Sequence, residues 1–444
     1  MASPSVVMGT PLTRFHWKIT SLAGVATLLV AVDQGVLSFA LAQLVAEWGL
    51  QPIHIAVIAI TAAVGALCGS IVLGNLADRI GRRSSLRLAL FLMALGTVLG
   101  AVSWDWISLA AFQLIAGFGI GGVAPVVGAF VSEFAPAKSR GKLVTAVEGF
   151  YGVGAIMAAL GSLVLLPAFG WRLALVFGGI PWLWVLVQKR VMPESPRYLA
   201  ARGRLDEARQ FLSHIQATYG VNIEGVLGQP SAQNRGLIAS LGELWSGPLA
   251  RRTACTWLLW FVVVYASYGV FVWLPTLLAV SGLEIMRSIQ YMLIFTAVQI
   301  PSLIAAAVLV DIVGRKYVLV PTLLVGGIAA YLFGGVASPV EILLWGSVLS
   351  LAIAVARGVM VSYTAELFPT RVRGTGAGSA SAFGRIGSII VPGAMTLAIS
   401  SWSVGYGAVF IMFSSMLCVG ALGVAILGEE TKGRSLEEIG ADAL

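Results

Sequence analysis

Residues 74–83 read GNLADRIGRR and residues 307–316 read AVLVDIVGRK, in a chain where only 11% of the residues are charged. Asp78 and Asp311 stand 233 positions apart, as do Gly81 and Gly314, and Arg82 and Arg315. SEFAPAKSRGKL at 132–143 and AELFPTRVRGTG at 365–376 keep the same offset of 233, pairing Glu133 with Glu366, Pro136 with Pro369, Arg140 with Arg373 and Gly141 with Gly374. Two motifs in one register identify a duplicated chain, made of two modules of like construction.

The surroundings of these motifs set the solvent. Of 444 residues, 58% are hydrophobic and 52 are glycine, and the mean hydropathy is +0.92. A soluble domain has too little interior to hide so much apolar surface. Stretches of about 20 nearly uncharged residues, enough to cross roughly 30 Å of hydrocarbon as helix, recur along the chain. They lie near 18–46, 53–77, 86–104, 106–131, 143–168, 172–191, 253–280, 288–310, 317–337, 341–365, 375–400 and 404–427. The prediction is an all-α membrane protein with twelve transmembrane helices in two pseudo-symmetric six-helix bundles. The bundles are expected at 1–191 and 251–444, joined by a linker at 192–250. Within that linker Ser195 and Pro196 mark a helix start, Leu205, Ala208, Leu212 and Ile215 share one helical face, and 221–236 looks flexible.

Basic residues orient the spans. With both termini on the cytoplasmic face, 24 of the 28 lysines and arginines fall in cytoplasmic segments, and only Arg172 and Arg287 fall in outer loops. The net charge of +8 therefore speaks of topology and of contact with anionic lipid, not of nucleic acid, for which no basic-aromatic strip is present. The first apolar run is too long for a signal peptide and lacks a small-residue cleavage site, so it is expected to stay as a helix. Cys68, Cys255 and Cys418 sit inside apolar spans, and His16, His54 and His214 form no cluster, so no metal or disulfide is expected. GFGIGG at 117–122 lies in an apolar span without a lysine, which excludes a phosphate cradle. No cofactor is expected.

GNLADRIGRR, RGKL after SEFAP, PESPRYL, AELFPTRVRGTG and EETKG, in this order at the ends of spans, resemble the major facilitator superfamily over essentially the whole chain. PESPRYL and EETKGRSLEEI are similar to the branch of sugar porters, organic-ion transporters and synaptic-vesicle-protein-like metabolite carriers. The sugar porters' paired glutamines and Leu-Ser-Gly on the seventh span are replaced here by TWLLWFVVVYASYGVFVWLPTLL, closer to carriers of organic ions and acids. The resemblance implies two bundles around a central cavity that opens alternately to each side. It also implies that Asp78 reaches the N-terminus of the eleventh span when the cytoplasmic side closes, since a carboxylate suits exposed helix N–H groups. The expected latch comprises Gly74, Asp78, Gly81, Arg82, Glu133 and Arg140, with Asp311, Gly314, Arg315, Glu366 and Arg373 in the twin.

Four ionisable residues fall well inside spans, where a charge costs roughly 2.5–3.5 kcal/mol on insertion scales and calls for a partner or a wet cavity. Asp33, in LLVAVDQGVLSFAL, matches the position of an aspartate in many similar carriers and is expected to carry a proton or touch substrate, against a fixed structural hydrogen bond to a neighbouring helix backbone. Glu148, where similar carriers often have glutamine, is a second protonation site or an anchor for a cation, against an interfacial ion pair. Arg357 suits a carboxylate through its two parallel donors; it would stand in for the arginine that related anion carriers place on the fourth span, where this chain has Gln113. The bland alternative is a neutralising pair with Asp33 or Glu148. Arg385, in SAFGRIGSII, is expected to be structural, paired with the tenth span or a cytoplasmic carbonyl. Trp257, Phe261, Tyr265 and Tyr268 share a face of the seventh span, and the two tyrosines are candidates for the cavity wall.

The leading expectation is a secondary active transporter, a proton symporter of a small organic anion such as a carboxylate metabolite, working as a monomer in a cell (inner) membrane. Asp33 and Glu148 would handle protons; Asp33, Gln113, Glu148, Tyr265, Tyr268 and Arg357 would meet the substrate. The alternatives are a proton-driven exporter of cationic or drug-like amphiphiles, a sugar carrier and a non-transporting membrane sensor. No nucleophile-base set or cofactor loop supports an enzyme.

Overall fold

The computed structural model describes residues 12–135, 140–219, 237–274, 285–336, 338–369, 372–401 and 407–432. The expected flexible stretch at 221–236 and the side chains of Arg140, Asp311 and Arg373 lie outside the described part. The first half runs α1 (Arg14–Trp48), α2 (Pro52–Ile80), α3 (Arg82–Ala101), α4 (Trp106–Phe134), α5 (Arg140–Gly178) and α6 (Pro181–Val191). Three short helices follow: α7 (Pro196–Ala201), α8 (Leu205–Tyr219) and α9 (Leu237–Leu244). The second half runs α10 (Gly247–Tyr268), a π-helical turn (Gly269–Trp273), α11 (Ile285–Ile312), α12 (Arg315–Phe333), α13 (Pro339–Leu367), α14 (Arg373–Ser401) and α15 (Gly407–Leu427).

Ten of these helical stretches are long and apolar enough to cross a membrane. One, Ala146–Val191, covers 46 residues and breaks at Gly170, whose φ of 72° lies in the left-handed region, three residues past Pro167; it supplies two spans. Ile285–Ile312 has 28 residues, about 42 Å at 1.5 Å per residue, and brings the spans to twelve. Large apolar side chains such as Ile71, Val164, Leu186, Leu397 and Ile426 face outward, as a hydrocarbon solvent allows.

The two bundles pack alike. In the first, α1 lies on α5, and α4 on α2 and α3; in the second, α10 lies on α14, and α13 on α11 and α12. Lipid is as apolar as leucine, so close backbone approach holds such helices together. A Cβ on Gly69 of α2 would overlap the Phe118 carbonyl, and one on Gly121 of α4 would overlap the Ala66 carbonyl. Across the bundles, α2 meets α14 and α5 meets α11, which is one contact and its twin. The short helices α7 and α8 lie against the first bundle and α9 against α10 and α14 of the second. Ser195 caps α7 by accepting from Tyr198 N at 3.3 Å, and of the expected face of α8 Ala208 and Ile215 are buried while Leu205 is exposed.

Candidate functional site

Between the bundles lies a cavity of about 280 Å³. Thr27, Val30 and Gln34 of α1, Val123, Val127 and Val131 of α4, and Val147, Glu148 and Tyr151 of α5 form one wall. Trp260, Val264, Ser267 and Tyr268 of α10, Phe271 of the π turn, Arg357 and Val361 of α13, and Ser381, Arg385 and Ser388 of α14 form the other. Steps of three, four and seven put each set on one helical face. The walls are twins, α1, α4 and α5 against α10, α13 and α14. At the end away from the decapeptides the bundles touch, with Thr396 Oγ1 donating to Pro52 O at 3.3 Å. Toward the decapeptide end the cavity continues to Val131, one turn from the end of α4, and to Val361, under two turns from the end of α13.

Few polar groups interrupt this apolar surface, and they cluster. Tyr151 donates its hydroxyl hydrogen to Gln34 Oε1 at 2.9 Å, and Gln34 Nε2 donates to the Tyr268 oxygen at 3.2 Å, joining the two bundles. The Arg357 guanidinium carbon lies 4.8 Å from the centre of the Tyr151 ring, again across the bundles. Arg357 donates weakly to Gln299 Oε1 at 3.4 Å, while its Nε is buried without a hydrogen-bond acceptor. Neither Asp33 nor Glu148 forms an ion pair with it among the described residues. Arg385 also lines the cavity, and the carbonyl it reaches at 3.5 Å, that of Gly121, lies midway along α4 of the opposite bundle and not at the cytoplasmic end. Glu148 lines the cavity one turn from Tyr151 and has no partner among the described residues.

Not every expected contact residue lines this cavity. Asp33 is 1% exposed, points into the first bundle and bonds the Thr97 hydroxyl of α3. Gln34, its neighbour, faces the cavity instead, because adjacent helix positions diverge by 100°. Gln113 is also sealed in the first bundle, with both amide atoms unpartnered, beside Gly100 and away from the cavity. Tyr265 departs from the expectation too: its buried ring packs on Phe413 and Phe261. Trp257 stacks on Phe383 with centroids 4.7 Å apart and donates to Ser379 Oγ at 3.2 Å. The stripe from Trp257 to Tyr265 is thus the face packed on α14 and α15, and the cavity face lies to one side of it; Tyr268 sits on the border. Gln34, Tyr151 and Trp260 were absent from the sequence-based set. Tyr151 follows Glu148 by three residues, a spacing that places both on one face.

The decapeptides build twin ionic networks, each within its own half. Arg82 pairs with Glu133 at 2.9 Å and with Asp78 at 2.8 Å, and donates to the Ala77 carbonyl at 3.1 Å. Arg315 pairs with Glu366 at 2.9 Å and donates to the Val310 carbonyl at 3.4 Å, again 233 residues on. A second acid closes each network. Glu194 Oε1 accepts from the amides of Arg82 at 2.9 Å and Arg83 at 3.3 Å, and Glu430 accepts from those of Arg315 and Lys316, both at 3.0 Å. These carboxylates occupy helix N-termini, where unpaired N–H groups and the helix dipole favour an anion. Gly81 (φ 97°) and Gly314 (φ 115°) make the turns, and a Cβ on either would strike the capping carboxylate. Asp78 leaves 71% of its side chain exposed and pairs within its own helix. In this conformation it makes no hydrogen bond to α14 among the described residues, in keeping with the cavity reaching toward this end. Gly74 faces Pro125 of α4, where a Cβ would find ordinary contact at 3.7 Å, so its close partner is within the same bundle.

The sequence profile described as "Sugar (and other) transporter" matches residues 6–443. The niacin transporter NiaP of Acinetobacter baylyi is 38% identical over 437 residues, covering 98% of this chain and 99% of that protein. The benzoate transport protein of the same species is 28% identical over 386 residues, covering 86% and 83%. Among solved structures, a partially occluded inward-open conformation of the xylose transporter XylE from E. coli superposes with a TM-score of 0.77, at 21% identity, covering 95% of this chain and 99% of that one. At that identity the likeness speaks for the fold.

Proposed function

Because the chain belongs to the sugar (and other) transporter family, we propose that it carries a small aromatic carboxylate across the membrane in symport with a proton, the two bundles opening the cavity to each side in turn. It is a multi-pass carrier of the major facilitator type and not an enzyme. The cargo and its coupling are the proposal. One observation carries the cargo: Arg357 lines the cavity with a buried Nε that finds no acceptor and with no carboxylate paired to it among the described residues. A half-buried guanidinium with no counter-charge is costly, and an incoming carboxylate would satisfy it with two parallel bonds. Among the described residues, two guanidinium groups against the carboxylate of Glu148 leave the cavity positive, which favours a monoanion over a cationic amphiphile. Its mostly aliphatic and aromatic wall suits a flat ring better than a sugar, whose hydroxyls would each need a partner. The two relatives are named for niacin and benzoate, both aromatic acids.

Asp33 supports the coupling half. Thr97 Oγ1 has one hydrogen and two acceptors in reach, the Met93 carbonyl at 3.1 Å and Asp33 Oδ1. A hydrogen carried by Asp33 would serve the pair when Thr97 turns to Met93. Glu148, inside the cavity, is the second candidate for a proton. One chain encloses the whole cavity, so a monomer suffices, and the distribution of basic residues sets both termini on the cytoplasmic face of the inner membrane.

Reconstituted vesicles test the proposal. With the interior more alkaline than the bath, radiolabelled nicotinate or benzoate should accumulate above its outside concentration and leak back when a protonophore is added. Binding without flux would instead make the protein a sensor, and flux indifferent to the pH gradient would refute symport.

A further inference from the structure

The amide of Gln34 lies between two phenols and can satisfy only one of their hydrogens. A glutamine amide has an oxygen that accepts and a nitrogen that donates, while each phenol has one hydrogen and an oxygen. Tyr151 gives its hydrogen to Gln34 Oε1 at 2.9 Å. Gln34 Nε2 gives one of its own to the Tyr268 oxygen at 3.2 Å. The Tyr268 hydrogen therefore has no acceptor among the described residues. Turning the amide over would only pass the spare hydrogen to Tyr151, so a single phenolic donor is left over either way.

The neighbouring hydroxyls do not absorb it as bound partners. Ser267 and Ser388 donate to the carbonyls of Val263 and Arg385, each at 2.7 Å on its own helix, and neither oxygen accepts from Tyr268 among the described residues. Tyr268 lines the cavity on the same wall as Arg357. The two are tied together through one chain of contacts: Arg357 over the Tyr151 ring at 4.8 Å, Tyr151 to Gln34, and Gln34 to Tyr268. The site thus offers the Arg357 guanidinium over the Tyr151 ring and, linked to it through Gln34, the neutral donor Tyr268, with Arg385 a second cation on the same wall.

Resting on the aromatic-carboxylate proposal above, we infer that Tyr268 reads a hydrogen-bond acceptor in the ring of the substrate, so that the preferred class is a pyridine carboxylate and not a plain benzene carboxylate. Arg357 takes the carboxylate, and the spare Tyr268 hydrogen meets the ring nitrogen. Benzoate has the same shape and charge but presents a C–H there, and entering it would strip the Tyr268 hydroxyl of water without replacing the bond. A site built to bond a polar group discriminates against the analogue that lacks it more sharply than an apolar pocket separates sizes.

Titration of the purified protein with nicotinate and with benzoate tests this. The wild type should bind nicotinate about tenfold more tightly than benzoate, the scale of one neutral hydrogen bond. Tyr268→Phe should bring the ratio to within about twofold. A ratio unchanged in a Tyr268→Phe variant that elutes as a single monodisperse species overturns the inference. If that variant does not fold, the wild type still decides: equal affinities for the two acids overturn it. Failure of the wild type to bind either acid would bring down the carboxylate proposal itself, a result distinct from equal binding of both.

Discussion

Arg357→Ala should weaken binding of the aromatic acid about a hundredfold, because a charge-assisted, two-pronged bond inside a protein is worth roughly 1.5–3 kcal/mol. The direction follows from the site. Arg357 projects from α13 over the Tyr151 ring of the opposite bundle, and its Nε has no acceptor of its own. A structural cation would already hold a carboxylate, and removing it would cost folding more than affinity. Arg357→Lys keeps the charge but loses the planar fork, and should recover part of the affinity, with a weaker preference for carboxylates. Isothermal titration on protein of normal elution profile separates the cases. An Arg357→Ala variant that binds the acid as well as wild type would remove the guanidinium from the site.

Asp33→Asn should abolish accumulation driven by a pH gradient while sparing exchange of labelled for unlabelled acid. Asparagine keeps the size of the side chain and a partner for the Thr97 hydroxyl, yet cannot take up and release a proton at these pH values. Asp33 is sealed in the first bundle and touches no cavity wall, so its loss leaves the binding groups Arg357 and Tyr268 in place. Glu148→Gln offers the contrast: it removes a carboxylate that lines the cavity, and its first effect should fall on affinity. Uptake and counterflow in the same vesicles read both quantities. An Asp33→Asn carrier that still concentrates its substrate would move the coupling site elsewhere.

Much of the architecture was legible because it is written in register. The offset of 233 pairs Arg82 with Arg315 and Glu133 with Glu366, and the structure repeats both ion pairs. Glu194 and Glu430 do the same job in the two halves, but they lie 236 residues apart, and that slip of three hides them from the repeat. The cavity wall was harder. Helices apolar on every side carry no stripe to show which face meets lipid, a neighbour or water. Hence nothing local separates Tyr265, which packs on Phe413, from Tyr268 on the cavity wall, or marks Gln34 as the cavity residue beside the more conspicuous Asp33. Which residues face one another across the bundles depends on how two whole modules dock. Arg357 over Tyr151 is a contact between residues 206 positions apart, and no local pattern announces it.

The central claim is that two bundles rock about one shared site, and a distance across the decapeptide end tests it most directly. Spin labels at Ile80 of α2 and Tyr317 of α12, both exposed, in a background with Cys68, Cys255 and Cys418 replaced by alanine, would report that separation. Two populations should appear, one long and one short, with nicotinate and acid pH changing their ratio. A single distance, unmoved by substrate or by pH, would contradict the account.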